Sequence, residues 1–187
     1  MYCEKLKDIL NNDAKNELNE TIVRKLDHHL KDSTTLLERK KLNPVSFSIH
    51  ENVNPRKAYR LFLIGSKVGL FIPHALYRCE CGDQFKVNKG YKTKYYCECS
   101  EKAIVPAQDH YRIFLYFELV CSIEECFNFD PTDVVSEKEM EEILGIETSG
   151  KDPWSLGEIN DELGDEDATD LLNQRVQKKL NYIDKYS

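Results

Sequence analysis

Two cysteine doublets, RCECG at 78–82 and YCECS at 96–100, restrict this chain more than any other feature. They set Cys79, Cys81, Cys97 and Cys99 in two Cys-x-Cys pairs, with 15 residues between Cys81 and Cys97. In an extended or knuckle-like segment, residues i and i+2 point to one side, so each pair can reach a single ion. Thiolates are soft donors that hold zinc tetrahedrally at about 2.3 Å, and four of them close the shell with no open position. The spacing therefore predicts one structural Zn2+ on a small β-hairpin platform. Gly82 suits a turn whose amides bond the sulfurs, and Arg78, Lys86, Lys94 and Lys102 offset the charge of a four-thiolate site. The alternatives are four reduced cysteines in buried strands, an iron–sulfur cluster or a redox pair. The glutamates between the cysteines make poor core.

At 187 residues the chain can bury a hydrophobic core without needing a metal merely because it is small. Charged residues at 32% and apolar residues at 41% are ordinary for a globular protein. No run approaches the roughly 18–20 apolar residues of a membrane-spanning helix, so no membrane partner is expected. The first residues, MYCEKLKDILNN, lack the apolar stretch of a signal peptide. Seven unevenly spaced cysteines also fit a secreted disulfide framework poorly, so a reducing compartment is expected, cytoplasmic or nuclear.

Charge is distributed unevenly. Residues 54–104 carry 10 Lys+Arg against 4 Asp+Glu, net +6, whereas residues 105–187 carry 7 against 20, net −13. Overall acidity, at net −7, therefore does not exclude nucleic-acid binding.

The pattern predicts an α+β chain in three parts. Residues 1–43 form a helical N-terminal unit. Leu6, Ile9, Leu10, Leu18, Ile22, Leu26 and Leu30 make an apolar stripe over 2–31, as one helix or as two divided at Asn11–Asp13. A second piece at 33–42 starts at Ser33 or Thr34 and stops before Asn43-Pro44. Residues 44–129 form a β domain carrying the zinc hairpin at 78–104. Its strands are VSFSIH, KAYRLFLIG, SKVGLFIPH and ALYRC, with a turn at Gly65-Ser66. HYRIFLYFELVCSI has two apolar faces and is expected as a central strand. Residues 130–187 form an acidic helical region with a Ser136-x-x-Glu139 capping box and a helix over about 166–183.

Between the doublets, Lys86, Lys89, Lys92 and Lys94 interleave with Phe85, Tyr91, Tyr95 and Tyr96. Lysines bind phosphates and rings stack on unpaired bases, so this mixture suits single-stranded nucleic acid. A solvated hairpin whose rings pack on the zinc module explains it equally well. Arg56, Lys57 and Arg60 are further candidate phosphate contacts. Trp154, Leu156 and Ile159, within an acidic connector, are candidates for holding a protein partner.

One resemblance follows from LFLIGSKVGLFIPHALYRCECG, YYCECSEKAIVP and the strand at 110–120. Over about residues 45–120 this order resembles the N-terminal region of the minichromosome maintenance replicative helicases. The resemblance implies an oligonucleotide-binding (OB-like) β-barrel with an inserted zinc hairpin, the four cysteines as ligands, and DNA contacts around Lys86–Lys94. The Cys-x-Cys knuckles are shorter than that family's, and no GxxxxGK[ST] phosphate loop occurs, so no ATPase motor is implied.

The expected function is a non-enzymatic, zinc-containing nucleic-acid-binding accessory of a replication-type or nucleic-acid-processing complex, with DNA favoured over RNA. The alternative is a protein–protein adaptor in which zinc stiffens a scaffold and the acidic helices bind the partner.

Overall fold

The structure, a computed structural model, describes residues 2–15, 17–87, 94–97, 99, 103–124 and 153–163. Among them the chain is α+β, with five α-helices and a three-stranded antiparallel open sheet. Two compact units form, one of Met1–Ile72 with Phe117–Pro153 and one of Pro73–Tyr116 with Trp154–Ser187.

In the first unit, the apolar stripe over 2–31 is two helices, α1 (Tyr2–Asn11) and α2 (Glu20–His28), the latter continued by a π-helical turn, His29–Ser33. Asn19 caps α2, its side chain accepting the Ile22 N–H at 2.9 Å. Leu6, Ile9, Leu18, Ile22, Leu26 and Leu30 are all buried, as their spacing requires. The segment 33–42 holds only a single 3-10 turn, Glu38–Lys40, where Thr35 and Glu38 exchange side-chain-to-backbone bonds.

The largest departure from expectation lies at 44–67. VSFSIH and KAYRLFLIG are not strands but belong to helices α3 (Pro44–Glu51) and α4 (Pro55–Lys67), and Gly65-Ser66 is helical. Each helix begins with Asn-Pro: Asn43 accepts from Val45 N–H and Asn54 from Arg56 N–H, both at 2.9 Å, and proline fills the first position. Pro55 and every residue from Ala58 to Gly65 are buried, so α4 turns no side to solvent over that stretch, although Arg56, Lys57, Arg60 and Lys67 recur along one side of it. Phe62 stacks on Phe71 at 4.8 Å between centroids and meets Phe47 and Phe117 at 5.7 and 5.2 Å. Gly65 permits this packing, since a Cβ there would lie 2.6 Å from the Phe71 ring.

The sheet contains β1 (Phe71–Arg78), β2 (Gln84–Lys86) and β3 (Ile113–Leu119), in the order β2-β1-β3. It is open among the described residues; the two expected barrel strands before it are α3 and α4. The strand expected to be central, β3, stands at the end of the order. Its burial alternates, with Ile113, Leu115 and Phe117 inside and Phe114 and Tyr116 half-exposed. Its apolar outer residues mimic a two-sided strand. Single bridges to Leu42 and Ser155 are its other pairings.

In the second unit, helix α5 (Leu156–Leu163) starts at a capping box: Ser155 N–H donates to Glu158 at 2.7 Å and Ser155 Oγ accepts from Glu158 N–H at 3.3 Å. No helix among the described residues is long and apolar enough to cross a membrane. The Ser136–Glu139 box and the 166–183 stripe lie outside the described residues.

Candidate metal centre

Strands β1 and β2 pair Leu76 with Lys86, Tyr77 with Phe85 and Arg78 with Gln84, leaving 79–83 as the connecting loop. The loop closes through Cys79 N–H to Asp83 C=O at 2.8 Å and Gly82 N–H to Cys79 C=O at 3.0 Å. Gly82 sits at φ +96°, a left-handed conformation that a side chain would strain. The first doublet is thus carried on a tight loop at the end of a strand.

The second doublet is held by a bridge between Tyr95 and Ile104, with two backbone bonds of 2.8 Å. The Tyr77, Phe85 and Tyr95 rings stack in a row, with centroids 5.2 and 5.1 Å apart. That ladder brings Cys97 and Cys99 beside the loop of Cys79 and Cys81.

All four sulfurs lie within 4.8 Å of one another. Cys79–Cys99 is 3.3 Å, Cys81–Cys97 is 3.5 Å and Cys97–Cys99 is 3.1 Å. These separations exceed the roughly 2.05 Å of an S–S bond, and all four thiols are free. Sulfurs around a tetrahedral zinc at about 2.3 Å stand about 3.8 Å apart, so the cluster needs only a slight expansion to admit the ion.

Its electrostatics favour a cation. The Cys81 backbone N–H, helped by the Cys99 thiol, brings the Cys79 thiol down to about 7. Contact with the Cys97, Cys81 and Cys79 sulfurs drives Cys99 upward. One thiolate forms readily; four so close together ionise only around a positive charge. Asp83 adds a carboxylate oxygen 3.9 Å from the Cys97 sulfur. Arg112, which also binds Asp109 at 2.8 Å, holds Glu80 at 3.2 Å and so ties the loop to the segment before β3. Sequence spacing gives no sign of that Arg112–Glu80 pair, 32 residues apart.

The other candidates are scattered. Lys86 and Lys94 are exposed beside the centre, and Tyr96 is 75% exposed. Arg56 is exposed and Lys57 half-buried on the first turn of α4, in the first unit. Arg60 is 7% exposed and committed to Asp13, its terminal nitrogen 2.6 Å from the carboxylate, which leaves it no free face for a phosphate. Leu156 and Ile159 are fully buried in the second unit and Trp154 is half-buried, so the two aliphatic side chains form core, not a surface. Lys89, Tyr91 and Lys92 lie outside the described residues. Comparison with family models, curated proteins and solved structures finds no match, which leaves the site to be read from its own chemistry.

Proposed function

We propose that this chain is a non-enzymatic binding module in which one structural zinc ion, held by Cys79, Cys81, Cys97 and Cys99, fixes a hairpin that engages nucleic acid. The convergence of four free thiols carries this reading. A closed thiolate shell offers no position for substrate, so the metal supplies rigidity, not chemistry. Lys86 and Lys94 are exposed, within the segment whose net charge is +6. Such cations bind phosphates and release counterions. The role that follows is an accessory within a nucleic-acid-processing complex, with single-stranded DNA the favoured ligand.

Binding of fluorescent single- and double-stranded oligonucleotides at two salt concentrations tests this. Salt-sensitive binding is expected. Lys86→Ala with Lys94→Ala should lower the slope of log K against log salt by about 1.4, from about 0.7 per phosphate contact on single strands. No binding to any oligonucleotide at low salt sinks the proposal.

A further inference from the structure

The hairpin has two faces, and they differ in kind. In an antiparallel pair, partnered residues project to the same side, and side chains alternate along each strand. Tyr77 and Phe85 are partners, and their rings stack with Tyr95 on one side. Leu76, Arg78, Gln84 and Lys86 therefore project to the other. Lys94 and Tyr96, the chain neighbours of Tyr95, are both exposed.

On β3 the half-exposed residues are Phe114 and Tyr116. The Arg78 guanidinium lies 4.5 Å over the Phe114 ring, which fixes Phe114 on the same side as Arg78 and Lys86. One face of the sheet thus carries Phe114 and Tyr116 together with Arg78 and Lys86, and exposed Lys94 and Tyr96 flank Tyr95, whose ring stacks on Phe85 of β2.

We infer that this sheet face, with the neighbouring Lys94–Tyr96 segment, is a stacking platform for the unpaired bases of a single-stranded nucleic acid, with Arg78, Phe114 and Tyr96 as base contacts and Lys86 and Lys94 as backbone contacts. The inference rests on the nucleic-acid reading above and adds the face and three residues. Flat rings and a guanidinium already seated on a ring offer π surfaces that any base can cover. Those surfaces are of no use to a duplex, whose bases are already stacked. The lysines give the charge complement to a phosphate chain, where an acidic or apolar protein surface would leave the rings' faces unused. The zinc cluster takes no direct part; it holds the loop from which Arg78 and Gln84 enter the face.

The test uses the full chain and a fluorescent oligothymidylate of about 15 nucleotides, near the upper site size of a single small binding domain. Affinity is measured for wild type, Tyr96→Leu and Phe114→Leu, with far-UV circular dichroism confirming the fold. Ultraviolet crosslinking with peptide mass mapping runs in parallel. Tyr96 is an exposed residue, so its replacement keeps the test open if Phe114→Leu fails to fold. Each variant is expected to bind about tenfold more weakly, with crosslinks on Tyr96, Phe114 or Tyr116 and weaker binding to the matching duplex. Oligonucleotide binding with both variants unchanged, with crosslinks elsewhere, or with duplex preferred overturns the platform while leaving the nucleic-acid reading in place. No oligonucleotide binding overturns both. Capture of a protein instead, blocked by Tyr96→Leu, also overturns it.

Discussion

Asp13→Ala in the first unit should be far more damaging than an ordinary surface change. Asp13 is 4% exposed and sits in the break between α1 and α2. One carboxylate oxygen accepts from Leu18 N–H at 2.7 Å, and the other takes Arg60 at 2.7 and 2.6 Å. Removing it leaves a guanidinium buried in α4, with Glu17 at 3.7 Å as the one remaining, weaker counter-charge among the described residues. Breaking a buried pair from one side costs about 3–5 kcal/mol. For a chain of this size that is a fall in melting temperature of roughly 10 °C. Thermal and urea unfolding at pH 7, followed by the helix signal, measure it.

The double change Asp13→Ala with Arg60→Met should recover most of the loss, because no unpaired charge is then buried. The pair also sets a pH dependence. Burial pushes the Asp13 carboxyl up, but the Leu18 amide and the Arg60 guanidinium outweigh it and hold the group below its usual value. A depressed carboxylate stabilises fully above its unfolded value of about 3.9 and loses that contribution as the folded group takes a proton below it. The gap between wild type and Asp13→Ala should therefore close in acid. Loss under about 1 kcal/mol at neutral pH, or no recovery in the double variant, would refute the reasoning.

Two further outcomes follow from the same unit. Gly65→Ala gains helix propensity but drives a Cβ to 2.6 Å from the Phe71 ring, itself 2% exposed, so overpacking should win by about 1–2 kcal/mol in urea unfolding. Burial raises the Glu51 carboxyl, but the hydrogen bond and charge of His29, then His28, bring it below its usual value. This contribution is lost as pH falls below about 4.3; the stability difference between wild type and Glu51→Gln, measured at pH 6 and pH 3, should shrink in acid.

How legible this was in the sequence varied by element. The stripe of α1 and α2 could be read because each helix keeps one wet face. Helix α4 was hard to read from periodicity, since residues 58–65 are buried on every side and, apart from Arg60, look like buried strand. The usable signal was local: Asn43-Pro44 and Asn54-Pro55 are both helix starts, as is Ser155-x-x-Glu158. At the site, the convergence of Cys79, Cys81, Cys97 and Cys99 was legible because two Cys-x-Cys pairs on a short hairpin can meet at one point. The fate of Arg60 was not, because its partner lies 47 residues away and only packing brings them together. Leu156 and Ile159 were misread for the same reason, being apolar residues in an acidic stretch that turn inward.

Metal content with sulfur coordination tests the central claim most directly. Purified full chain, measured by elemental analysis and X-ray absorption, should hold about one zinc with four sulfurs at about 2.3 Å. Cys79→Ser with Cys97→Ser should lose the ion together with the order of the hairpin. A folded hairpin without metal, or zinc bound through nitrogen and oxygen donors, would contradict the account.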